Sequence, residues 1–346
     1  NALMYPNPYS RTPGDIDVWI DASRERIMEY AQKKFELGDD IRLQHLETSL
    51  DGVPVELHFF PCSMNNPIYH ARLQKWFRRN ADLQCSNIVG LPDGAGDIAI
   101  PTTAFNVVYQ LTHLYHHFFD EGIGMRQIID YFLVVNDFSK NVFLDTDFLK
   151  QQDNYSKITP SLFTLKEGST SHPDPLSSGA REETALRCSE PLCYKDGGPA
   201  KVSPDCAGWD RLAIEGDNSA GSTTVVTSSA STALDVVQRE LKHLGLWKFA
   251  RAVMYVLHEA LGLPEEKMVA PMDEKRGKLL LAEILNGGNF GRHFTKYGHF
   301  TQQGMAKKYF LKIWRNMHFV RYFPAEALSE PIFRTWHFFW RLKHRR

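Results

Sequence analysis

Residues 14–20 read Gly14-Asp15-Ile16-Asp17-Val18-Trp19-Ile20, two carboxylates one residue apart in a stretch of β-branched and aromatic side chains. Such composition predicts a short strand. Side chains alternate along a strand, so Asp15, Asp17 and Trp19 share one face, and Ile16, Val18 and Ile20 the other. The apolar face is expected to pack on a core. Two acids on the opposite face repel each other unless a cation or a proton lies between them, and Asp is depleted in strands. Hard dications such as Mg²⁺ are held by one or two carboxylates together with substrate phosphates. The pattern therefore points to a phosphate-handling metal site.

A second half of this site lies about 40 residues on. Residues 41–50 and 53–60 form two candidate strands around Asp51-Gly52, a strong local hairpin signal. On the returning strand Val55, Leu57 and Phe59 fall on one side, and Glu56, His58 and Phe60 on the other. Pairing the hairpin beside the Asp15 strand sets Glu56 next to Asp15 and Asp17. Three carboxylates on neighbouring strands suffice for a two-metal site for in-line phosphoryl chemistry.

The run Tyr5-Pro6-Asn7-Pro8, then Arg11-Thr12-Pro13-Gly14-Asp15-Ile16-Asp17, resembles the active-site segment of the nucleotidyltransferase superfamily that includes DNA polymerase beta. More narrowly, the chain resembles a bacterial branch, the uncharacterised nucleotidyltransferase family. Three further segments carry that likeness: Val55-Glu56-Leu57-His58-Phe59, the stretch His113 to Gln127, and Gly287-Gly288-Asn289-Phe290-Gly291. Together they span roughly residues 1–138 and 232–346. The resemblance implies Asp15 and Asp17 as metal ligands, with Glu56 as a third acid near the acceptor hydroxyl. It implies a Mg²⁺ (or Mn²⁺) cofactor and a nucleoside triphosphate substrate, ATP among the candidates. In the superfamily a Gly-Ser or Gly-Gly turn before the acid pair binds the triphosphate. The sequence begins at Asn1, about where that turn would end, so the expectation is a catalytic lobe truncated at its N-terminus. Arg11 is a candidate phosphate contact, or a solvated loop residue.

Composition sets outer limits. At 346 residues and 43% apolar content the chain can hold two domains with real cores. No apolar run is long enough to span a bilayer, and no signal peptide opens the sequence. Five cysteines without CxxC spacing argue against a structural zinc site and a disulfide framework, and a reducing, cytoplasmic location is expected. The net charge of −1 conceals a division: −7 over residues 1–138, −4 over 139–232 and +10 over 233–346. The basic end is read as a solvated helical face, as a lobe attracted to an anionic cleft, or as a surface for a polyanion.

The expected fold is α+β: a nucleotidyltransferase-like mixed-sheet lobe over residues 1–100, followed by a mostly α-helical bundle. Helices are predicted near 23–37, 66–80, 102–120, 124–137, 233–244, 246–262, 273–286, 302–318 and 330–345. The bundle takes residues 101–138 and 232–346. Between them, 139–231 is rich in Ser, Thr, Gly, Pro and Asp and reads as a low-complexity insertion.

His113, His116, His117 and Asp120 fall along one side of a helix. Three readings stand side by side. They form a metal site; or they face the cleft and bind nucleotide or acceptor with Arg126 and Asp130; or they form an interhelical network that fixes the turn at Gly122–Gly124. The Gly287–Gly291 loop reads as a helix stop more than an anion cradle. Phe333, Trp336, Phe339 and Trp340, among basic residues, are expected to be buried against the bundle rather than to stack bases or lie on a membrane. The functional expectation is an enzyme transferring NMP from an NTP to an acceptor hydroxyl, with release of pyrophosphate. The competing expectations are a catalytically inactive nucleotide-binding regulator, and a nucleic-acid-binding module acting through residues 292–346.

Overall fold

The structure is a computed structural model and describes residues 2–12, 14, 16–91, 94–141, 224–288 and 305–344. Two short 3₁₀ turns, Ala2–Met4 and Pro8–Ser10, precede β1 (Ile16–Trp19), α1 (Arg24–Lys34), β2 (Glu36–Ile41), β3 (His45–Leu50) and β4 (Val53–His58). Then follow α2 (Pro67–Ser86), β5 (Ile88–Gly90), β6 (Asp97–Ala99), α3 (Thr103–Asp120) and α4 (Met125–Asn141). After residue 223 come α5 (Thr224–His243), α6 (Trp247–Leu261), α7 (Glu274–Gly287), α8 (Met305–Met317) and α9 (Pro324–His344). The architecture is α+β. Residues 1–165 and 229–346 cluster as one unit. Most of the expected insertion, residues 142–223, lies outside the described residues.

Four strands form a mixed sheet in the order β1-β4-β3-β2, with β1 parallel to β4 and the other neighbours antiparallel. The β3–β4 hairpin turns on Asp51 (φ 51°) and Gly52 (φ 78°), the two left-handed residues a tight two-residue connection requires. That turn sets the register: Leu50 opposes Val53, Glu47 opposes Glu56 and His45 opposes His58. On one face of the sheet Leu46, Val55 and Leu57 pack against Ile27 and Ala31 of α1, which is capped by the Ser23 hydroxyl. This is the smaller core.

Helix α1 stops at Lys34, three residues short of the expected end, and Glu36–Ile41 becomes an edge strand. Phe35 goes extended and sets its ring against Tyr30, while Glu36 and Leu37 pair with Ser49 and Thr48. Ladder pairing overrides local helix preference here. The expectation that Ile16 and Val18 pack on a core is also corrected: they stay 48% and 37% exposed. They continue the apolar face of β4 on the outermost strand, whereas the buried partners of α1 lie on β3 and β4.

The larger core is helical. It joins Leu73, Trp76 and Phe77 of α2 to α3, α4, α5, α6 and α7, and to Phe319, Phe323 and Ala327. Trp76 stacks on Phe105 at 4.5 Å, and Phe118 meets Phe249 and Phe319. Helix α5 ends in a Schellman turn: Gly245 (φ 75°) donates to Lys242 O and Leu246 to Leu241 O. Gly245 lies so near Tyr69 that an added Cβ would meet its ring at 2.6 Å. Helix α7 ends at Gly287, and Gly288 (φ 60°) donates back to Ile284 O, as a helix stop should; residues 289–291 lie outside the described residues. The terminal aromatic stretch corrects the burial expectation in part: Trp336 and Phe339 are 50% and 63% exposed, whereas Phe333 and Trp340 are partly buried. The last core residue on α9 is Ala327, and the later turns run beyond the described core.

Candidate active site

The sheet face opposite α1 carries the acids. Parallel pairing of β1 with β4 puts Asp17 directly opposite Glu56, and Trp19 opposite His58. The hairpin adds Glu47 beyond Glu56 and His45 beyond His58. Two rows result, Asp17–Glu56–Glu47 and Trp19–His58–His45. Asp15 lies outside the described residues.

His58 sits between the two acids. Its Nε2 is 3.0 Å from Asp17 Oδ1 and 3.3 Å from Glu56 Oε2, and the residue is 4% exposed. Burial works against a charge on His58, but the hydrogen bonds to Asp17 and Glu56 prevail and push it up to about 9. Burial likewise works against the carboxylates, but the hydrogen bonds from His58 hold Asp17 and Glu56 below the usual range. Both acids are therefore ionised at neutral pH. His45 Nδ1 lies 3.3 Å from Glu56 Oε2, yet neither ring nitrogen makes a hydrogen bond, and burial pushes its titration down to about 4. Glu47 is engaged by Arg42.

Helix α3 approaches this face from the helical core. Trp19 meets Phe77 at 6.1 Å, Phe77 meets Tyr109, and Tyr109 stacks on His113 at 6.0 Å. His113 is near enough to Asp17 for their charges to interact. Its Nε2 lies 3.2 Å from His117 Nε2. Burial, and then His117, hold His113 well below the ordinary histidine range, so it is a neutral ring rather than a cationic phosphate clamp. His116 contacts Ser63 Oγ at 3.5 Å and is pushed by burial down to about 4. Asp120 turns the other way, accepting from Lys312 of α8 at 3.1 Å and Arg334 of α9 at 2.8 Å. The His113–Asp120 segment thus divides: His113 faces the acids, and Asp120 ties three helices.

Arg11 is engaged away from the acids. Its guanidinium grips Asp130 through Nε to Oδ1 at 3.0 Å and Nη2 to Oδ2 at 2.9 Å, and Tyr5 O–H donates to Oδ1 at 2.7 Å. The grip ties the segment before β1 to α4. Arg126, at the start of α4, reaches Gly14 in the acid loop: a Cβ there would stand 3.6 Å from its Nη2. Beside Glu56 an open depression is lined by Gly14, Glu36, Glu47, Ser49 and Pro54.

Residues 1–160 match the model of a family described as uncharacterised nucleotidyltransferase. This part of the chain, a little under half of it, is similar to that family, whose description is of transferases that move nucleotidyl groups. Searches among curated proteins and among solved structures found no match. Among the described residues no helix is long and apolar enough to cross a membrane.

Two site residues stood outside the sequence-derived set of ligands. His58 follows Glu56 by two positions and so shares its face. His45 was findable from the hairpin, because a two-residue turn at Asp51-Gly52 forces it opposite His58.

Proposed function

We propose that the chain transfers an NMP group from a nucleoside triphosphate to an acceptor hydroxyl, using a divalent ion held by Asp17 and Glu56, with Asp15 as the adjoining ligand. The observation that carries this reading is the Asp17–Glu56 register pair: two ionised carboxylates side by side, aimed at one point that His58 Nε2 now fills. A hard dication suits such oxygens, so the residues present fit Mg²⁺ or Mn²⁺. When bound, the ion supplies charge neutralisation for the phosphates and for the leaving pyrophosphate.

The chain's own residues do the positioning. Glu56, open to the depression beside Gly14, accepts a hydrogen bond from the acceptor hydroxyl and orients its oxygen. Glu56 takes the hydroxyl proton as that oxygen attacks the α-phosphorus in line; the new O–P bond forms as the bond to the β-phosphate oxygen breaks, and pyrophosphate departs. Arg126, over Gly14, is the cation on hand for a phosphate. Arg11 would serve only by leaving Asp130, and otherwise holds the acid loop in place. His113, held neutral by burial and 3.2 Å from His117, lends this side of the site a polar wall for base or acceptor. In this reading residues 1–100 form the catalytic lobe and residues 101–138 and 232–346 the helical lobe. Positioning and charge neutralisation supply most of the rate gain in such chemistry.

The test is incubation with each α-labelled nucleoside triphosphate and Mg²⁺ in cell extract, with detection of pyrophosphate and of the labelled acceptor. Labelling that depends on Asp17 supports the reading. Labelling unchanged in Asp17→Asn, or none with any nucleotide, overturns it.

A further inference from the structure

We propose that His45, Glu56 and His58 form a nitrogen-containing site for a transition-metal dication of the Mn²⁺ to Zn²⁺ series, adjoining the oxygen-only Asp17–Glu56 pair. The inference deepens the reading above, with which it shares Glu56.

Three observations carry it. First, the hairpin register brings the donors together from two strands: His45 opposes His58, and Glu56 precedes His58 by two positions on the same face. Second, the spacing is that of a coordination shell. His45 Nδ1 and His58 Nε2 each lie 3.3 Å from Glu56 Oε2, and all three donor atoms lie within 4.8 Å of one another. Ligands bound at roughly 2.0–2.2 Å around one ion stand about 3–3.5 Å apart, so little movement would close the site. Among the described residues this is the one group of three or more His, Cys, Asp or Glu side chains with such convergence.

Third, His45 lacks a hydrogen-bond partner at both ring nitrogens while only 9% exposed. Buried polar groups are nearly always paired, so an imidazole aimed at Glu56 without a hydrogen bond is well placed to ligate an ion. Donor chemistry then selects the metal. Mg²⁺ takes oxygens in near-ideal octahedral geometry, whereas imidazole suits zinc and its neighbours. Behind the ring of His58, Gln44 Nε2 lies 3.4 Å from Nδ1, and Gln44 Oε1 accepts from Ser63. Such outer partners fix the tilt of a ligating ring.

The experiment is Co²⁺ titration of the full chain, freed of metal by chelator, followed by visible absorbance, with pulsed electron resonance on the Mn²⁺ form. Expected are saturable ligand-field bands and ¹⁴N coupling to bound Mn²⁺. His45→Asn should weaken Co²⁺ binding about 10- to 100-fold and reduce the ¹⁴N signal. The exposed control His318→Asn should keep the bands. The His45 ring makes no hydrogen bond, so replacing the side chain removes none from the fold; a circular dichroism melt checks this, and His58→Asn is a second variant. Binding equal in wild type and His45→Asn, or Mn²⁺ without ¹⁴N coupling, overturns the site. Pyrophosphate release under Mg²⁺ would survive that outcome if the transferase reading stands, so the two failures are distinguishable.

Discussion

Asp17 and Glu56 face each other across the parallel β1–β4 ladder, and one histidine, His58, touches both. The acids come from stretches 39 positions apart and meet only because the crossover through α1 returns β4 to the side of β1. Asp17→Asn removes a charge from a side chain 40% exposed, so the thermal midpoint should stay near wild type. Transfer should fall by at least about 10²–10³-fold, since preorganised charge contributes on that scale. Pyrophosphate release measured beside a melting curve checks both halves.

Glu326 opens α9 fully buried, accepting backbone N–H donors from Asn65 at 2.5 Å and Asn66 at 3.3 Å. Burial, reinforced by Glu330, outweighs those bonds and raises its carboxyl to about 7. An acid raised on folding favours the fold below its unfolded value, near 4.5, and loses that contribution as pH climbs through 7. The shift corresponds to about 3 kcal/mol at most. Glu326→Gln keeps an acceptor and removes the titration. Urea unfolding at pH 5 and pH 8 should therefore differ less in the variant than in wild type.

Arg334 holds two acids at once, Asp120 at 2.8 Å and Glu330, which is 1% exposed. Arg334→Ala leaves Glu330 buried without that partner, and should cost about 3 kcal/mol in chemical denaturation. The Asp120 side of the loss is the smaller, because its side chain keeps 35% of its surface open and Lys312 remains. Arg334→Lys should not restore stability, since a point charge cannot span both carboxylates.

Gly245→Ala meets two obstacles together, a φ of 75° and the Tyr69 ring. A loss of about 1–3 kcal/mol is expected. Tyr69→Ala should relieve the steric part and leave the backbone part, and a double-mutant cycle separates them.

Much of this arrangement was legible in the sequence. The Asp51-Gly52 turn announced the hairpin, and alternation put Glu56 and His58 on one face. The 3.6-residue period located α3, α4, α6 and α7 to within a few positions. What the sequence hid was tertiary. Strand β2 follows α1 because pairing with β3 outweighs the helical preference of Glu36 and Leu37. The half-exposure of Ile16 and Val18 reflects the order of strands, which no local pattern encodes. Arg11 read equally as a phosphate contact or a solvated loop residue, since a sequence does not reveal that Asp130, 119 positions away, already holds its fork. The division within His113–Asp120 likewise depends on where α8 and α9 arrive.

β1 spans four residues and, among the described residues, has only β4 for a neighbour, so a single row of amide bonds keeps Asp17 beside its counterpart. Fraying of that margin would part the carboxylates while the hairpin stayed whole. Deuterium uptake should accordingly run faster along residues 16–19 than along 53–58, and a ligand gripping both acids should slow the first far more than the second.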